Sequence, residues 1–152
     1  MRKRSAVGIG ILACLLILTV AVPAHAAPRL RLYRGETSQG EHIKFIVAKT
    51  DAGRFVVELD IQVIFTCEDA TTQDLVIGWG FGPPRSAPPI TDGVFSYDDV
   101  SPQMAAHFAG QLGTLSGEGT ASIAQPSLTA DEQAQLCTTG DLTWTVKFVR
   151  RL

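Results

Sequence analysis

Residues 55–67, FVVELDIQVIFTC, constrain the fold more than any other stretch of this chain. Apolar side chains occupy every second position, and the positions between them are mostly polar. Successive side chains of a β-strand point to opposite faces, so this unbroken period of two predicts an antiparallel strand with one buried face. The predicted buried set is Phe55, Val57, Leu59, Ile61, Val63, Phe65 and Cys67.

Alternation of the same kind predicts strands through most of the remaining chain. A hairpin is expected where the turn 50–53 joins residues 41–48 to 55–67. The other predicted strands are 30–33, 75–79, 93–97, 104–113, 120–124 and 141–148. About eight short strands separated by turns are typical of an all-β, antiparallel β-sandwich, with a barrel as the alternative.

Two connecting segments carry specific expectations. The sequence Gly-Glu-Gly at 117–119 predicts the turn between strands 104–113 and 120–124. Residues 129–136 begin with capping-box spacing, so they form either a short helix before the last strand or a plain loop.

The N-terminus predicts export from the cell. Met1–Arg4 is positively charged, Ala6–Val22 is apolar or small apart from one threonine, and an A-x-A site ends at Ala26. This arrangement is typical of a secretory signal peptide, so we expect residues 1–26 to be removed and 27–152 to form a single extracellular domain. A retained anchor is the alternative, although a spanning helix needs about 20 apolar residues.

Cysteine content predicts one disulfide bond. Cys14 lies in the predicted signal, which leaves Cys67 and Cys137 in an oxidising compartment. His42 and His107 do not stand at the spacing of metal ligands relative to these cysteines. Neither a metal site nor another cofactor is therefore expected.

The charge balance of the predicted mature chain is mildly acidic. The signal contains three of the 13 basic residues and none of the 15 acidic residues, so the remaining chain has a net charge of −5. A chain of this charge without a basic patch is not expected to bind nucleic acid or an anionic membrane.

The string ELDI at residues 58–61 suggests an enzyme. It resembles the catalytic strand of the laminarinase-like β-sandwich glycosidases, in which a second glutamate, one or two residues further, is the acid/base. Gln62 and Val63 stand there in this chain, and neither delivers a proton to a leaving group. We therefore predict that Glu58 and Asp60 lie on a solvated strand face, and the alternative is a ligand face that also includes Gln62.

Three aromatic residues, Trp79, Phe81 and Tyr97, flank a loop rich in glycine and proline. Rings in such positions either pack on the rim of the core or form an exposed surface that stacks on sugars. The candidate ligand-face residues are therefore Trp79, Phe81, Tyr97, Glu58, Asp60 and Gln62.

Two further candidate sites rest on single residue types. Asp98 and Asp99 precede a proline, so they predict a turn, and a calcium site that also uses Asp92 is the alternative. His42 and His107 have serine or aspartate residues nearby in sequence, but the G-x-S-x-G motif of many hydrolases is absent.

Several short motifs are spread along the predicted mature chain. They are YxGxTSQG from residue 33, IxFxV from residue 43, FxG from residue 108, GxG from residue 117 and CxxGxxxW from residue 137. In these motifs the chain resembles an uncharacterised group of small secreted proteins that is frequent in actinobacteria. The resemblance implies an extracellular β-sandwich with a Cys67–Cys137 bridge, and it implies no catalytic residue.

These observations predict a secreted, non-catalytic β-sandwich that acts as an extracellular binding or interaction module. A glycan or a cell-surface protein is the expected partner. The alternative is a small secreted hydrolase acting on glycans or peptides, which requires at least two ionisable side chains that converge in a cleft.

Overall fold

The computed structural model describes residues 27–82, 86–128 and 131–152. Within these ranges the chain is all-β and antiparallel, as the sequence predicts. The predicted signal peptide, residues 1–26, lies outside the described residues, and no helix among the described residues is long and apolar enough to cross a membrane. The strands are β1 (Arg29–Thr37), β2 (His42–Thr50), β3 (Gly53–Cys67), β4 (Thr72–Gly80), β5 (Pro89–Ile90), β6 (Val94–Ser101), β7 (Met104–Leu112), β8 (Ser116–Leu128) and β9 (Ala134–Arg151).

The alternating sequence of β3 produces a two-sided strand. The odd-numbered apolar residues from Leu59 to Cys67 are all buried, whereas Glu58 and Asp60 are half-exposed on the other face. The alternation does not extend back to Val57, because β2 and β3 shift register by one residue there. Val56 rather than Val57 is fully buried, since a β-bulge inserts one extra residue and changes which side chains face the core.

The strands form one continuous sheet in the order β4-β3-β2-β1-β9-β8-β7-β6, and β5 pairs with β3. The sheet folds over on itself, so rings on distant strands meet. The ring centroids of Phe45 on β2 and Phe95 on β6 are 5.6 Å apart, and those of Trp79 on β4 and Phe108 on β7 are 5.2 Å apart. Two layers therefore enclose one apolar core, which confirms the predicted β-sandwich. The short strand β5 was not predicted.

A direct pairing of β3 with β9 joins the two layers. The β2–β3 ladder begins at Ile61, so the end of β3 is free to place Thr66 opposite Thr138 and Cys67 opposite Cys137. The predicted disulfide is confirmed between these buried cysteines, whose Cα atoms are 3.9 Å apart.

The prediction of a turn at 117–119 is wrong. All three residues belong to β8, and Gly119 pairs with Gly110 of β7. The chain reverses instead at 113–116. A Cβ atom on Gly119 would lie 2.5 Å from Cζ2 of Trp144, so glycine is required here because an indole ring crosses the strand.

The alternative of a short helix at 129–136 is also wrong for the described part of that segment. Ala134 to Leu136 already belong to β9 and pair with the end of β8. The buried amide of Gln135 bonds to Asp69 through both its oxygen and its nitrogen. Extending the β8–β9 hairpin adds ladder hydrogen bonds, whereas so short a helix forms few internal ones. Residues 129 and 130 lie outside the described residues.

Strand pairing gathers basic side chains that are scattered in the sequence. Arg29 lies opposite Lys49, Lys49 lies opposite Arg54, and Arg31 lies opposite Arg151. The expectation of a surface without a basic patch is therefore wrong, because net charge does not reveal how register distributes the charges. We call this surface the basic end, and its members are Arg29, Arg31, Lys49, Arg54 and Arg151.

Candidate functional site: the outer face of the sheet

The six residues that the sequence suggested as a ligand face fall into two groups that the sheet separates. Glu58, Asp60 and Gln62 lie on the face of β3 that points away from the core. Trp79, in contrast, is only 8% exposed and belongs to the core. The carboxylates and the indole ring therefore do not share one surface.

Trp79, Phe81 and Tyr97 pack where the edge strands β4 and β6 meet. The ring centroids of Phe81 and Tyr97 are 4.8 Å apart, and those of Trp79 and Tyr97 are 6.2 Å apart, both edge-on. The indole N–H of Trp79 donates to a carboxylate oxygen of Asp99 at 2.8 Å. Burial, followed by the negative charge of Asp99, raises the pKa of Tyr97. The cluster has the geometry of core packing, because Trp79 has little surface left to stack on a sugar.

Glu58 and Asp60 share one cation. The ammonium nitrogen of Lys44 lies 2.5 Å from Oε1 of Glu58 and 2.5 Å from Oδ2 of Asp60. Hydrogen bonds to Asp60 and then to Glu58 raise the pKa of Lys44, because they stabilise its charged form. One cation therefore bridges the two carboxylates and balances part of the charge of each.

Next to this ion-paired group, the outer face of the sheet carries two adjoining depressions. The smaller has a volume of about 320 Å³ and is lined in part by Lys44 and Asp60. The larger has a volume of about 880 Å³ and extends over β1, β9 and β8. Arg34, Gly35 and His42 line both of them. We therefore treat the two depressions as one surface and call it the outer-face groove.

Charged side chains that have no partner among the described residues line the larger part of the groove. Arg34 lies opposite Lys147 in the β1–β9 ladder, and Glu36 and Glu118 are nearby lining residues. None of these four side chains forms a hydrogen bond or ion pair with another described residue. Their charges are therefore available to a polar ligand.

The sequence patterns did not single out Arg34, Glu36, Glu118 or Lys147. Alternation along β1 places Arg34 and Glu36 on one face, but only the pairing of β1 with β9 brings Lys147 beside them. At Gly35 the two strands approach closely, since a Cβ atom there would lie 1.8 Å from a backbone oxygen of β9.

A separate row on β6, β7 and β8 has some features of a hydrolytic site. Asp98, His107 and Ser122 occupy directly opposed positions, and Nδ1 of His107 lies 2.6 Å from a carboxylate oxygen of Asp98. A serine nucleophile also needs a hydrogen bond to the histidine. No such bond joins His107 to Ser122 among the described residues, and the histidine and aspartate side chains are exposed.

The carboxylates of the alternative calcium site lie in different environments. Asp99 accepts the hydrogen bond from Trp79, whereas Asp92 lies in the turn before β6 with a φ of 52°. In the part of the chain that the structure describes, no three histidine, cysteine, aspartate or glutamate residues are grouped so that they could hold a metal ion.

Comparison with known proteins adds no assignment to these surfaces. No protein-family model, curated protein or solved structure matches the chain. Among the surfaces described above, the outer-face groove combines concavity with charged groups that have no partner within the described ranges. We take it as the candidate functional site on that geometry.

Proposed function

We propose that the protein is a secreted, non-catalytic binding module whose ligand occupies the outer-face groove. The observation that carries this proposal is the concave surface around Arg34 and His42, lined by charged side chains with no partner among the described residues. Depressions of several hundred Å³ with a few convergent polar groups are the usual form of a binding site. The signal-like residues 1–26 and the Cys67–Cys137 bridge support export.

The lining supports a polar ligand that is bound by hydrogen bonds and charge. Arg34 and Lys147 donate, Glu36 and Glu118 accept, and Gln111 offers both kinds of group. Such a set suits the hydroxyl and charged substituents of a glycan, either free or on a cell-surface protein. The resemblance to the secreted actinobacterial group agrees with this extracellular role.

A glycan array tests the proposal. The secreted protein should bind a defined set of glycans, and Arg34→Ala and Lys147→Ala should each weaken that binding roughly ten-fold or more, as expected for hydrogen bonds from charged groups. His107→Ala removes an exposed ionisable side chain that does not line the groove, so it is the matched control and should retain binding. Equal losses in the control, or wild-type protein that binds no glycan, would contradict the proposal.

A small secreted hydrolase is the second candidate, and the observation that favours it is the row of Asp98, His107 and Ser122. Chromogenic ester, peptide and glycoside substrates test this candidate directly. Hydrolysis that disappears in Ser122→Ala but persists in Arg34→Ala would replace the binding proposal with an enzymatic one.

A further inference from the structure

The basic end is a feature that the groove does not explain. Arg29, Lys49 and Arg54 occupy directly opposed positions on three neighbouring strands, and Arg31 opposes Arg151 on β9. Like charges directly opposite one another destabilise a sheet. Among the described residues, no ion pair compensates any of these cations. A surface that retains this repulsion has a positive potential that attracts anions from outside the protein.

In the described part of the chain, two carboxylates in nearby turns reduce this potential. Asp51 lies in the turn between β2 and β3, and Asp92 lies in the turn before β6. The second turn contacts the end of β7, because the backbone N–H of Leu112 donates to the carbonyl oxygen of Gly93 at 2.7 Å. The five cations of the basic end therefore outnumber the two carboxylates of these turns, although the mature chain as a whole is acidic.

Exposed apolar side chains lie among the cations. The turn 113–116 rests against the basic end, because the guanidinium groups of Arg31 and Arg54 donate to carbonyl oxygens of this turn at 3.2 and 3.1 Å. Leu115 in this turn is 72% exposed, and Val149, at the irregularity in the β1–β9 ladder, is 49% exposed. The surface thus combines positive charge with an apolar tip.

We propose that the basic end docks on a bilayer surface rich in anionic lipid headgroups, with Leu115 inserted at the interface. The cations attract the headgroups, and the apolar tip gains free energy by leaving water at the boundary of the acyl chains. A soluble polyanion such as nucleic acid or an acidic polysaccharide satisfies the cations but offers no apolar layer to Leu115 and Val149. This docking surface is separate from the outer-face groove, so it adds a location to the proposed binding module.

Sedimentation with lipid vesicles tests the proposal on the secreted form of the protein. Vesicles of equal parts phosphatidylglycerol and phosphatidylcholine should bind the protein, whereas pure phosphatidylcholine vesicles should not. Binding should weaken steeply as the salt concentration rises from about 50 to about 500 mM, because exposed charges are screened. This salt titration uses the wild-type protein, so it decides the electrostatic part even if a variant fails to fold.

Two variants test the residues. Lys49→Ala/Arg151→Ala removes two exposed cations that bond to no other described residue, and it should weaken binding to the anionic vesicles about 25-fold, or roughly five-fold for each charge. Leu115→Ser should weaken it about five-fold, because less apolar surface enters the interface. The matched control Val100→Glu/Leu128→Glu makes the same change in net charge at exposed sites in the opposite half of the sandwich, and it should leave binding within about two-fold of the wild type.

Three results would overturn the proposal. The first is equal binding to neutral and anionic vesicles, and the second is an equal loss in the control pair. The third is binding to heparin or duplex DNA that falls in Lys49→Ala/Arg151→Ala while Leu115→Ser leaves vesicle binding unchanged, which would assign the surface to a soluble polyanion. None of the residues altered here lines the groove, so failure of this proposal leaves the glycan-binding proposal to its own test.

Discussion

Removal of the Cys67–Cys137 bridge tests how the two layers of the sandwich are held together. We expect Cys67→Ala/Cys137→Ala to lower the free energy of unfolding by about 4 kcal/mol. The two cysteines are separated by 70 residues. The chain-entropy relation for a loop of that length gives about 4.4 kcal/mol at 25 °C, because the cross-link limits the unfolded chain.

The structure also predicts which strands lose protection first when the bridge is removed. The β3–β9 pairing beside the bridge has only two residue pairs, Thr66 with Thr138 and Cys67 with Cys137. Few ladder hydrogen bonds therefore remain to hold the layers together when the bridge is absent. Amide hydrogen exchange in the double variant should accelerate most at the start of β9 and the end of β3.

Urea unfolding followed by tryptophan fluorescence measures the effect. The oxidised wild type is compared with the double variant and with wild type reduced by dithiothreitol, and the two bridge-free forms should have the same lowered midpoint. The bridge-free forms should also show a larger m-value, since their unfolded chains are less compact. If the wild type has the bridge and the double variant is less stable by under about 1 kcal/mol, the loop-entropy reasoning is refuted. Two free thiols found by mass spectrometry would refute the bond itself.

Three further predictions concern local features. Gly119→Ala should destabilise the fold by about 3 kcal/mol or more in urea unfolding, because a Cβ atom there would lie 2.1 Å from a backbone oxygen of β7, whereas Gly80→Ala, with no atom within 4 Å, should have little effect. Lys44→Met should cost about 1 kcal/mol and Glu58→Gln at most about 0.5 kcal/mol, since one ammonium group balances two partly exposed carboxylates. The pKa of Lys44 is raised in the folded state, so the stability that its charge contributes is complete below pH 10.5 and is lost as the pH rises through the folded pKa. The stabilities of the wild type and Lys44→Met should therefore converge at that pH. N-terminal sequencing of secreted protein should begin at Ala27, and an intact chain in the membrane fraction would instead support the retained anchor.

The predictions that the structure confirms depend on local rules. A period of two along β3 fixes which side chains share a face whatever strand lies alongside, so the sequence correctly placed Glu58 and Asp60 opposite the buried residues from Leu59 to Cys67. Prediction of the disulfide required only the number of cysteines and the position of Cys67 on the apolar face of its strand. Most strands were also predictable, because turn residues punctuate the alternation.

The errors and omissions share a different cause. The sequence pattern predicts a turn at Gly119, because it does not show that Trp144 crosses this residue from another strand. The sequence does not reveal the groove around Arg34, because its lining comes from seven strands, which are β1, β2, β3, β4, β7, β8 and β9. Glycines and charges acquire these roles from neighbours that are distant along the chain.

Patterns along the chain are enough to predict a β-sandwich with one disulfide bond and to show which face of the longest alternating strand is buried. The register between strands, and with it the bulge beside Val57, the groove and the basic end, follows from the three-dimensional packing. Register is selected by the packing of the whole sheet, since a shift of one residue exchanges the buried and exposed faces of a strand. Arg29, Lys49, Arg54 and Arg151 look unrelated in an acidic sequence, and they become one positive surface because that packing aligns their strands.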